Sequence, residues 1–447
     1  MDVLRRAWVF AAAAIACLAI APAAQAAFGF QGLSAAPTNT NAGAHSDLNI
    51  HIGFTGASDD VKDLTVSLPP GMVGNPTATP LCTLSQLQSD SCPAATQVGT
   101  TTANVTAHLA DPLPLTLPLT VNGSVYNVEP GAGEPARFGI VLRPTGSDPL
   151  PVFQKIIQVS DVRLRQSDFG LDTVLTNIPN VAHALGQALS VPTDINSIDL
   201  SLKGTVGGKP FLRNPTSCGN KVTKFAADSY ANPNQTIKGQ VSFNSVNCAS
   251  LPFSPTFTAA VGSKGQTAYG KKPSMTAVIS QDDGEAGLRN AQVILPEALT
   301  ANFNLLANPC SEAQFHSNAA GCPASSIVGT SVATSPLLPS AESGSVVIVA
   351  AAQSNGLPRL GVDLHGPLSL QLLGDFTVLP GLGQKFTNLP DIPISNFILH
   401  FKQGGLVMTQ TNLCTAAKPA LAFPVSFLGW NGVSRNAKFG ATVQGCG

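Results

Sequence analysis

Short segments of alternating apolar and polar residues, separated by turns rich in glycine and proline, run along most of this chain. Alternation with a period of two places successive side chains on opposite faces of a strand, and β-branched residues are common at the apolar positions. The pattern predicts an all-β fold. The predicted strands include Leu48 to Phe54, Asp63 to Leu68, Ser124 to Val128, Phe138 to Leu142, Ser197 to Leu202 and Gln240 to Val246.

Signals for helices are few. Thr83 to Gln88 and Ser311 to His316 each begin with a hydroxyl residue that directly follows a cysteine. Hydroxyl side chains are favoured N-caps, so each segment predicts a helix of one or two turns. A third short helix is expected at residues 181 to 190.

The cysteines after residue 26 form two series with similar spacing. Their intervals of 10, 126 and 30 residues recur as 12, 92 and 32. Three dipeptides recur in the same order along the chain: Leu68-Pro69 with Leu295-Pro296, Cys92-Pro93 with Cys322-Pro323, and Val98-Gly99 with Val328-Gly329. A duplicated module with a variable internal loop has this signature. We therefore predict two tandem copies of a β-sandwich-like module, at residues 27 to 250 and 251 to 447.

Residues 1 to 26 predict a secretory signal peptide. Arg5 and Arg6 precede an apolar run from Trp8 to Ile20, and Ala24-Gln25-Ala26 provides a small-residue cleavage site. An uncleaved anchor, lipid attachment at Cys17 and twin-arginine export are alternatives, although the run is short for a bilayer span. We expect a secreted or cell-surface protein with no transmembrane segment after cleavage.

Eight cysteines remain after the signal peptide, and an even number in an exported chain favours disulfides over metal ligands. A pairing must work in both copies, which favours local pairs. The predicted disulfides are Cys82–Cys92, Cys218–Cys248, Cys310–Cys322 and Cys414–Cys446. We expect the short loops at the periphery and the longer loops in the core, so that loss of Cys218–Cys248 destabilises the protein more than loss of Cys82–Cys92.

Three segments of the first copy resemble motifs of a family of uncharacterised secreted actinobacterial repeat proteins. These are Ala42-Gly43-Ala44-His45-Ser46-Asp47, Leu68-Pro69-Pro70-Gly71-Met72-Val73-Gly74-Asn75-Pro76, and the stretch from Cys82-Thr83 through Cys92-Pro93 to Val98-Gly99. Ser46 stands where the family has proline, and Met72 where it usually has leucine. The resemblance implies an extracellular or cell-surface protein and supplies no catalytic residue.

Charge and motifs exclude several classes of function. The chain has 24 basic and 25 acidic residues, so nothing in its charge would hold nucleic acid. Its seven histidines lack the spacing of a metal-binding pair, and no nucleophile elbow or phosphate loop occurs. We predict no catalytic residue, no metal and no cofactor. His45 and His51 are the nearest pair, and a solvated or core-capping role is preferred for them.

Two acidic clusters occupy matching turns before the Leu-Pro strands. They consist of Asp59, Asp60 and Asp63 in the first copy and of Asp282, Asp283 and Glu285 in the second. Their oxygen ligands would suit calcium, but a polar hairpin connection is the preferred interpretation. A glycosidase needs two carboxyl groups that face each other across a sugar. Glu134, Asp199 and Asp363 could meet only through folding.

These observations favour a non-enzymatic structural or adhesion-type protein of the cell surface. Its expected partners are cell-envelope or surface components. An extracellular hydrolase is one alternative. Another is a module that binds a carbohydrate or small ligand in the cleft between the copies, although exposed aromatic residues, which sugar binding favours, are scarce in the sequence.

Overall fold

The computed structural model describes residues 28–56, 59–109, 115–144, 153–184, 188–350, 353 and 356–446. The signal peptide predicted at residues 1 to 26 therefore lies outside the described residues. Within them, two large β-sheets and a few short helices make up the protein, which confirms the all-β fold class.

The first sheet is antiparallel and barrel-like, and we call it barrel 1. Its strands follow the order β1-β2-β11-β5-β6-β7-β8-β9-β3-β15-β16, and β10 pairs with β11. The two edge strands meet near a parallel bridge between Asn41 and Val246. The strands of residues 29 to 245 are β1 (Gly29–Pro37), β2 (Leu48–Thr55), β3 (Val61–Ser67), β4 (Val73–Gly74), β5 (Gln97–Leu109), β6 (Leu115–Val128), β7 (Ala136–Arg143), β8 (Ile156–Leu164), β9 (Leu171–Leu175), β10 (Val181–Ala184), β11 (Leu189–Leu202), β12 (Thr205–Val206), β13 (Lys209–Pro210), β14 (Leu212–Arg213), β15 (Gly219–Ser229) and β16 (Ile237–Ser245).

The second sheet closes into barrel 2 through a parallel pair, β17 with β29. Its order is β17-β18-β26-β21-β22-β23-β24-β25-β19-β28-β29. The strands are β17 (Thr256–Val261), β18 (Met275–Ser280), β19 (Leu288–Ile294), β20 (Leu299–Ala301), β21 (Ile327–Thr334), β22 (Glu342–Val349), β23 (Arg359–His365), β24 (Ser369–Thr377), β25 (Gly383–Phe386), β26 (Asn396–Phe401), β27 (Val407–Thr409), β28 (Ala422–Gly429) and β29 (Ser434–Val443).

The two barrels have one topology, because every strand of barrel 1 except β10 has a counterpart at the same place in barrel 2. Local details also correspond. The Tyr230 hydroxyl donates a hydrogen bond to the carbonyl of Ile178 at 2.9 Å. In barrel 2, the Trp430 indole donates to the carbonyl of Leu389 at 2.9 Å. The duplication of the sequence and its boundary at residues 250 and 251 stay predictions; barrel 1 ends at Ser245 and barrel 2 begins at Thr256.

Two short α-helices form where hydroxyl caps predict them. Thr83 caps α1 (Leu84–Gln88) through a reciprocal capping box with Gln86, and Ser311 caps α2 (Glu312–Asn318). The 3-10 helices are Pro76–Ala78, Ala94–Thr96, Cys248–Ser250, Phe303–Ala307, Ala319–Gly321 and Lys418–Leu421. None of the helices in the described residues combines the length and the apolar composition that crossing a bilayer requires.

The helix predicted at residues 181 to 190 is wrong. Val181–Ala184 forms β10, which pairs with the start of β11. Ala182 and Ala184 are buried while His183 between them is exposed, which is the period of a strand. Residues 185 to 187 lie outside the described residues. Alanine favours helices, but pairing with a neighbouring strand overrode that preference here.

Each α-helix packs on the outside of its barrel, where a glycine leaves room for it. A Cβ atom on Gly139 would lie 2.6 Å from the side chain of Leu87, and one on Gly361 would lie 2.7 Å from that of Phe315. Leu87 and Phe315 are both fully buried. Each helix therefore builds a small second core on the outer face of its sheet.

The structure contains four disulfides, Cys82–Cys92, Cys218–Cys248, Cys310–Cys322 and Cys414–Cys446. These are the four pairs that the spacing predicts. Their expected placement is wrong, however. Cys82, Cys310 and Cys322 lie in the outer cores beneath the helices, whereas Cys218, Cys414 and Cys446 are exposed. These cysteines are buried because the helices of the short loops pack on the sheets above them.

The two ends of each barrel differ. Both disulfides of a barrel lie at one end, which we call the disulfide end; it also carries the loop after the Leu-Pro strand and the turn between β8 and β9 or between β24 and β25. The opposite end, which we call the plain end, carries the connection from β2 to β3 or from β18 to β19.

Burial predicts which disulfide of barrel 2 contributes more to stability. Loop entropy favours the 32-residue loop over the 12-residue loop by about 1 kcal/mol. Each hydroxyl left in a buried site without a partner costs about 1–3 kcal/mol. Cys310→Ser/Cys322→Ser buries two such hydroxyls and should therefore have the lower free energy of unfolding, by about 1–5 kcal/mol relative to Cys414→Ser/Cys446→Ser. Denaturant titration of both variants measures the difference, and equal or reversed midpoints would contradict it.

Candidate functional site

The barrels stack head to tail, with the disulfide end of barrel 1 against the plain end of barrel 2. In the turn between β8 and β9, the Gln166 amide donates to the carbonyl of Ser369 at 3.0 Å. The Thr77 hydroxyl donates to the carbonyl of Pro336 at 3.3 Å. The disulfide end of barrel 2 and the plain end of barrel 1 therefore stay at the two extremities of the pair.

A buried polar network holds this junction. Asp391 of barrel 2 is 6% exposed and accepts hydrogen bonds from the Thr216 backbone N–H, at 2.8 Å, and from the Thr216 hydroxyl. That hydroxyl also accepts from the N–H of Gly287 at 3.0 Å. Arg213 is equally buried and donates to the carbonyl of Glu285. Burial raises the pKa of Asp391 and lowers that of Arg213, while their mutual attraction opposes both shifts.

Two glycines admit the Asp391 carboxylate. A Cβ atom on Gly71 of barrel 1 would lie 2.5 Å from Oδ2, and one on Gly287 of barrel 2 would lie 2.5 Å from Oδ1. Gly71 also has a positive φ of 86°. A larger residue at Gly71 would push the barrels apart, and one at Gly287 would displace the Asp391 carboxylate within barrel 2.

An apolar cavity of about 230 Å³ runs through the junction. Its wall consists of inward-facing strand residues from both barrels, so it continues the inside of one into the inside of the other. Representative lining residues are Leu64, Val66, Phe138, Ile198 and Leu200 of barrel 1 and Ala333, Leu370, Leu372, Phe386 and Phe397 of barrel 2.

Two further apolar cavities, each about 90 Å³, extend the first along the axis. The one in barrel 1 shares Ile140 and Ile198 with the central cavity and continues towards the plain end. The one in barrel 2 shares Ala291 with it and continues to Leu382 and Leu406 at the disulfide end. Together they form a row of apolar spaces along both barrels, which we call the axial cavity.

Polar groups in the wall of the central cavity are few, and hydroxyls among them bond to the backbone. Ser160 donates to the carbonyl of Val174 at 3.3 Å, and Thr101 donates to that of Asp199 at 2.8 Å. These hydroxyls are thus satisfied within the sheet and leave the wall apolar.

Glu342 is the one ionisable side chain among the described residues that line the central cavity, and it is 5% exposed. Its Oε1 accepts a hydrogen bond from the N–H of Leu368 at 2.8 Å. Its Oε2 is buried and has no partner among the described residues. Burial raises the pKa of Glu342, although the Leu368 hydrogen bond and His365 act in the opposite direction. This carboxyl lies at the start of β22, close to the junction, and can accept a hydrogen bond from a ligand.

The carboxylates considered for a glycosidase do not share a site. Glu134 pairs with Arg137 at 2.8 Å, and Asp199 pairs with His51 at 2.7 Å. Asp363 lies in barrel 2 and pairs with His365 at 2.7 Å. The three acids thus have separate partners. His45 contacts the carbonyl of Leu212 at 2.7 Å, so it does not join His51 either.

The two acidic clusters act within loops. Asp59 accepts hydrogen bonds from the Ser229 hydroxyl at 2.6 Å and from the N–H of Ala231 at 2.9 Å. Glu285 accepts from the N–H of Ser254 at 3.1 Å and from its hydroxyl. These contacts agree with the preferred interpretation as polar connections. Within the described part of the chain, no three His, Cys, Asp or Glu side chains lie close enough to hold a metal ion.

Sequence reasoning did not find the axial cavity. Its wall residues, such as Leu372 and Phe397, occupy ordinary inward positions of strands, and apolar residues there predict a filled core. The isolated Glu342 was a usable signal, because a glutamate at the start of an apolar strand is out of place unless it has a partner or a ligand.

Asp60 predicts a pH effect on stability. Its pKa is raised to about 6, first by burial and then by Asp194. The folded state therefore favours the neutral carboxyl, and this contribution to stability is lost as the pH rises from about 4 to about 6. Asp60→Asn should gain stability relative to the natural protein across that window. Thermal unfolding at both ends of the window measures the gain, and Asp282→Asn, at an exposed carboxylate, serves as the control. A gain that does not change with pH would contradict the assignment.

No family model matches this chain, and no curated protein matches it. Among solved structures, it is similar to the type II cohesin dyad from the adaptor ScaA scaffoldin of Acetivibrio cellulolyticus, with 10% identity, a TM-score of 0.15, and coverage of 92% of this chain and 96% of that chain. It is also similar to a protein from Corynebacterium diphtheriae described as membrane anchored, with 10% identity, a TM-score of 0.18, and coverage of 93% and 89%. With scores this low, neither likeness bears on the fold or the function of this chain.

Proposed function

We propose that this protein is a non-enzymatic binding protein of the extracellular or cell-surface compartment, and that it holds an elongated apolar ligand in the axial cavity. The observation that carries the proposal is the cavity itself, which crosses the junction and is lined almost entirely by apolar side chains. Four disulfides support an oxidising compartment. Of the functions that the sequence suggests, we therefore favour a module that binds a small ligand between the two copies. The structural or adhesion role stays a prediction.

The energetics of an empty cavity support occupation by a ligand. Each Å³ of void in a protein core costs about 24 cal/mol, so the central cavity costs roughly 5 kcal/mol when empty. That is on the order of the whole stability of a typical domain. Water would not relieve this cost, because a water molecule needs two or more polar partners. An apolar ligand that fills the cavity would remove this free-energy cost.

Shape and chemistry narrow the class of ligand. The axial cavity is long and follows the strand direction through two barrels, so a linear hydrocarbon chain suits it better than a compact ring system. Glu342 offers an unpaired acceptor at the junction. A ligand whose polar end donates a hydrogen bond, such as a long-chain alcohol, fits this arrangement. A fatty-acid carboxylate would instead meet a group of the same charge.

The first test replaces a small residue of the cavity wall with a large one. Ala333 lines the central cavity on β21, and Ala333→Trp should project an indole into it. Ala36 is exposed on β1, so Ala36→Trp is the matched control. We expect the natural protein and the control to bind N-phenyl-1-naphthylamine with a blue-shifted, enhanced fluorescence, and Ala333→Trp to bind it at least about tenfold more weakly. Equal affinity of the three proteins would contradict the proposed site.

The second test measures selectivity among amphiphiles. Displacement of the dye by primary alkanols should strengthen about fourfold for each added methylene until the chain fills the cavity, because each buried methylene contributes about 0.8 kcal/mol. Alkanoates of equal length should bind more weakly at neutral pH, and Glu342→Gln should improve their binding relative to alkanols. Affinities that do not depend on chain length would contradict binding in the cavity. Unchanged selectivity of the Glu342→Gln variant would contradict a hydrogen bond between Glu342 and the polar end of the ligand.

A further inference from the structure

The most exposed large apolar side chains lie at the disulfide end of barrel 2, which is free because barrel 1 contacts the opposite end. Tyr269 is 76% exposed, Phe303 54%, Val378 53% and Leu379 82%. Every other large hydrophobic side chain of the described residues is at most 41% exposed. The four most exposed apolar side chains therefore share one end of the protein.

The topology places these four residues together. Val378 and Leu379 form the turn between β24 and β25, and the next residues of that turn meet the loop after β19, where the N–H of Leu295 donates to Leu382 at 2.8 Å. Phe303 begins the 3-10 helix farther along that loop. Tyr269 lies in the connection from β17 to β18, where the N–H of Gly270 donates to the carbonyl of Thr409 at 3.1 Å.

The same end is basic. Its loops span residues 262–274, 295–326, 378–382 and 402–421, and they contain five lysines and two acidic residues, Glu297 and Glu312. The lysines are Lys264, Lys271, Lys272, Lys402 and Lys418, and four of them are exposed while Lys272 is partly buried. The whole chain is close to neutral, so this excess of positive charge is local.

We propose that the free disulfide end of barrel 2 docks on an anionic lipid surface. Exposed aromatic and aliphatic side chains on loop tips, surrounded by lysines, match the apolar interior and the negative headgroups of such a membrane. In barrel 1 the equivalent end is covered by barrel 2, so among the described residues these side chains lie at the one disulfide end that is not covered. Exposed apolar side chains that lie together mark an interaction site. The positive charge around these side chains favours a negatively charged partner, which here is anionic lipid.

Docking here would also place the axial cavity next to the bilayer. The outermost apolar space of barrel 2 reaches Leu382 and Leu406, which lie in two of the loops at the free disulfide end, 378–382 and 402–421. An apolar ligand could then pass from the membrane into barrel 2 without crossing water. This route depends on the proposed ligand binding, whereas docking itself does not.

Vesicle flotation of the full mature chain tests the docking. We expect the protein to float with vesicles of equal parts phosphatidylglycerol and phosphatidylcholine in low salt, to float weakly with phosphatidylcholine alone, and to lose binding in high salt. Phe303→Ser/Leu379→Ser should weaken binding at least about tenfold. Lys271→Gln/Lys402→Gln should weaken it about tenfold or more, since each lysine near an anionic surface contributes about fivefold.

Matched controls lie on barrel 1. Leu115→Ser removes an exposed leucine, and Lys209→Gln/Lys238→Gln removes two exposed lysines, so both should leave flotation unchanged. Failure of the natural protein to float, or equal losses in the controls, would overturn the proposal. Self-association that Phe303→Ser/Leu379→Ser abolishes, without vesicle binding, would identify a second copy as the occupant instead. Ala333→Trp should float normally, which separates docking from ligand binding.

Discussion

The buried carboxylate of Asp391 fixes how the two barrels stack, and the axial cavity depends on that stacking. A charge removed from water is tolerated only when donors replace its hydration, and the cost otherwise amounts to several kcal/mol. The donors belong to Thr216 on barrel 1, while the carboxylate belongs to barrel 2. Sliding or rotating one barrel on the other would leave the carboxylate unpaired. The network therefore aligns the two interiors and keeps the cavity continuous across the junction.

Strands and disulfide pairs follow from local patterns, which is why the sequence predicts them well. Alternation identifies strands such as β2 and β16 because one face of each meets the barrel interior. The pairs follow from spacing, since one connectivity must serve both barrels. The burial of Cys82, Cys310 and Cys322 in the short disulfide loops was not predictable in this way. It depends on Leu87 and Phe315 finding Gly139 and Gly361 on strands far away in the sequence.

The candidate site is harder to predict, because a cavity is defined by what its wall residues fail to touch. Phe138 and Leu372 would fill a core in a narrower barrel, and nothing in their own sequence context distinguishes the two cases. The diameter follows from the number of strands and their tilt. The exposed apolar side chains at the free disulfide end of barrel 2 are hard to predict from the sequence for a similar reason. Tyr269, Phe303 and Leu379 are far apart in the sequence, and the topology of the barrel brings their loops to one end.

Head-to-tail stacking gives the protein a direction, unlike a two-fold dimer, in which both ends are the same. The contact that joins barrel 1 to barrel 2 uses unlike surfaces, and the Asp391 network that holds it forms between the disulfide end of barrel 1 and the plain end of barrel 2. The two ends left exposed are therefore unlike each other as well. The long axis of the protein has one defined sense, as the axis of a polar filament does.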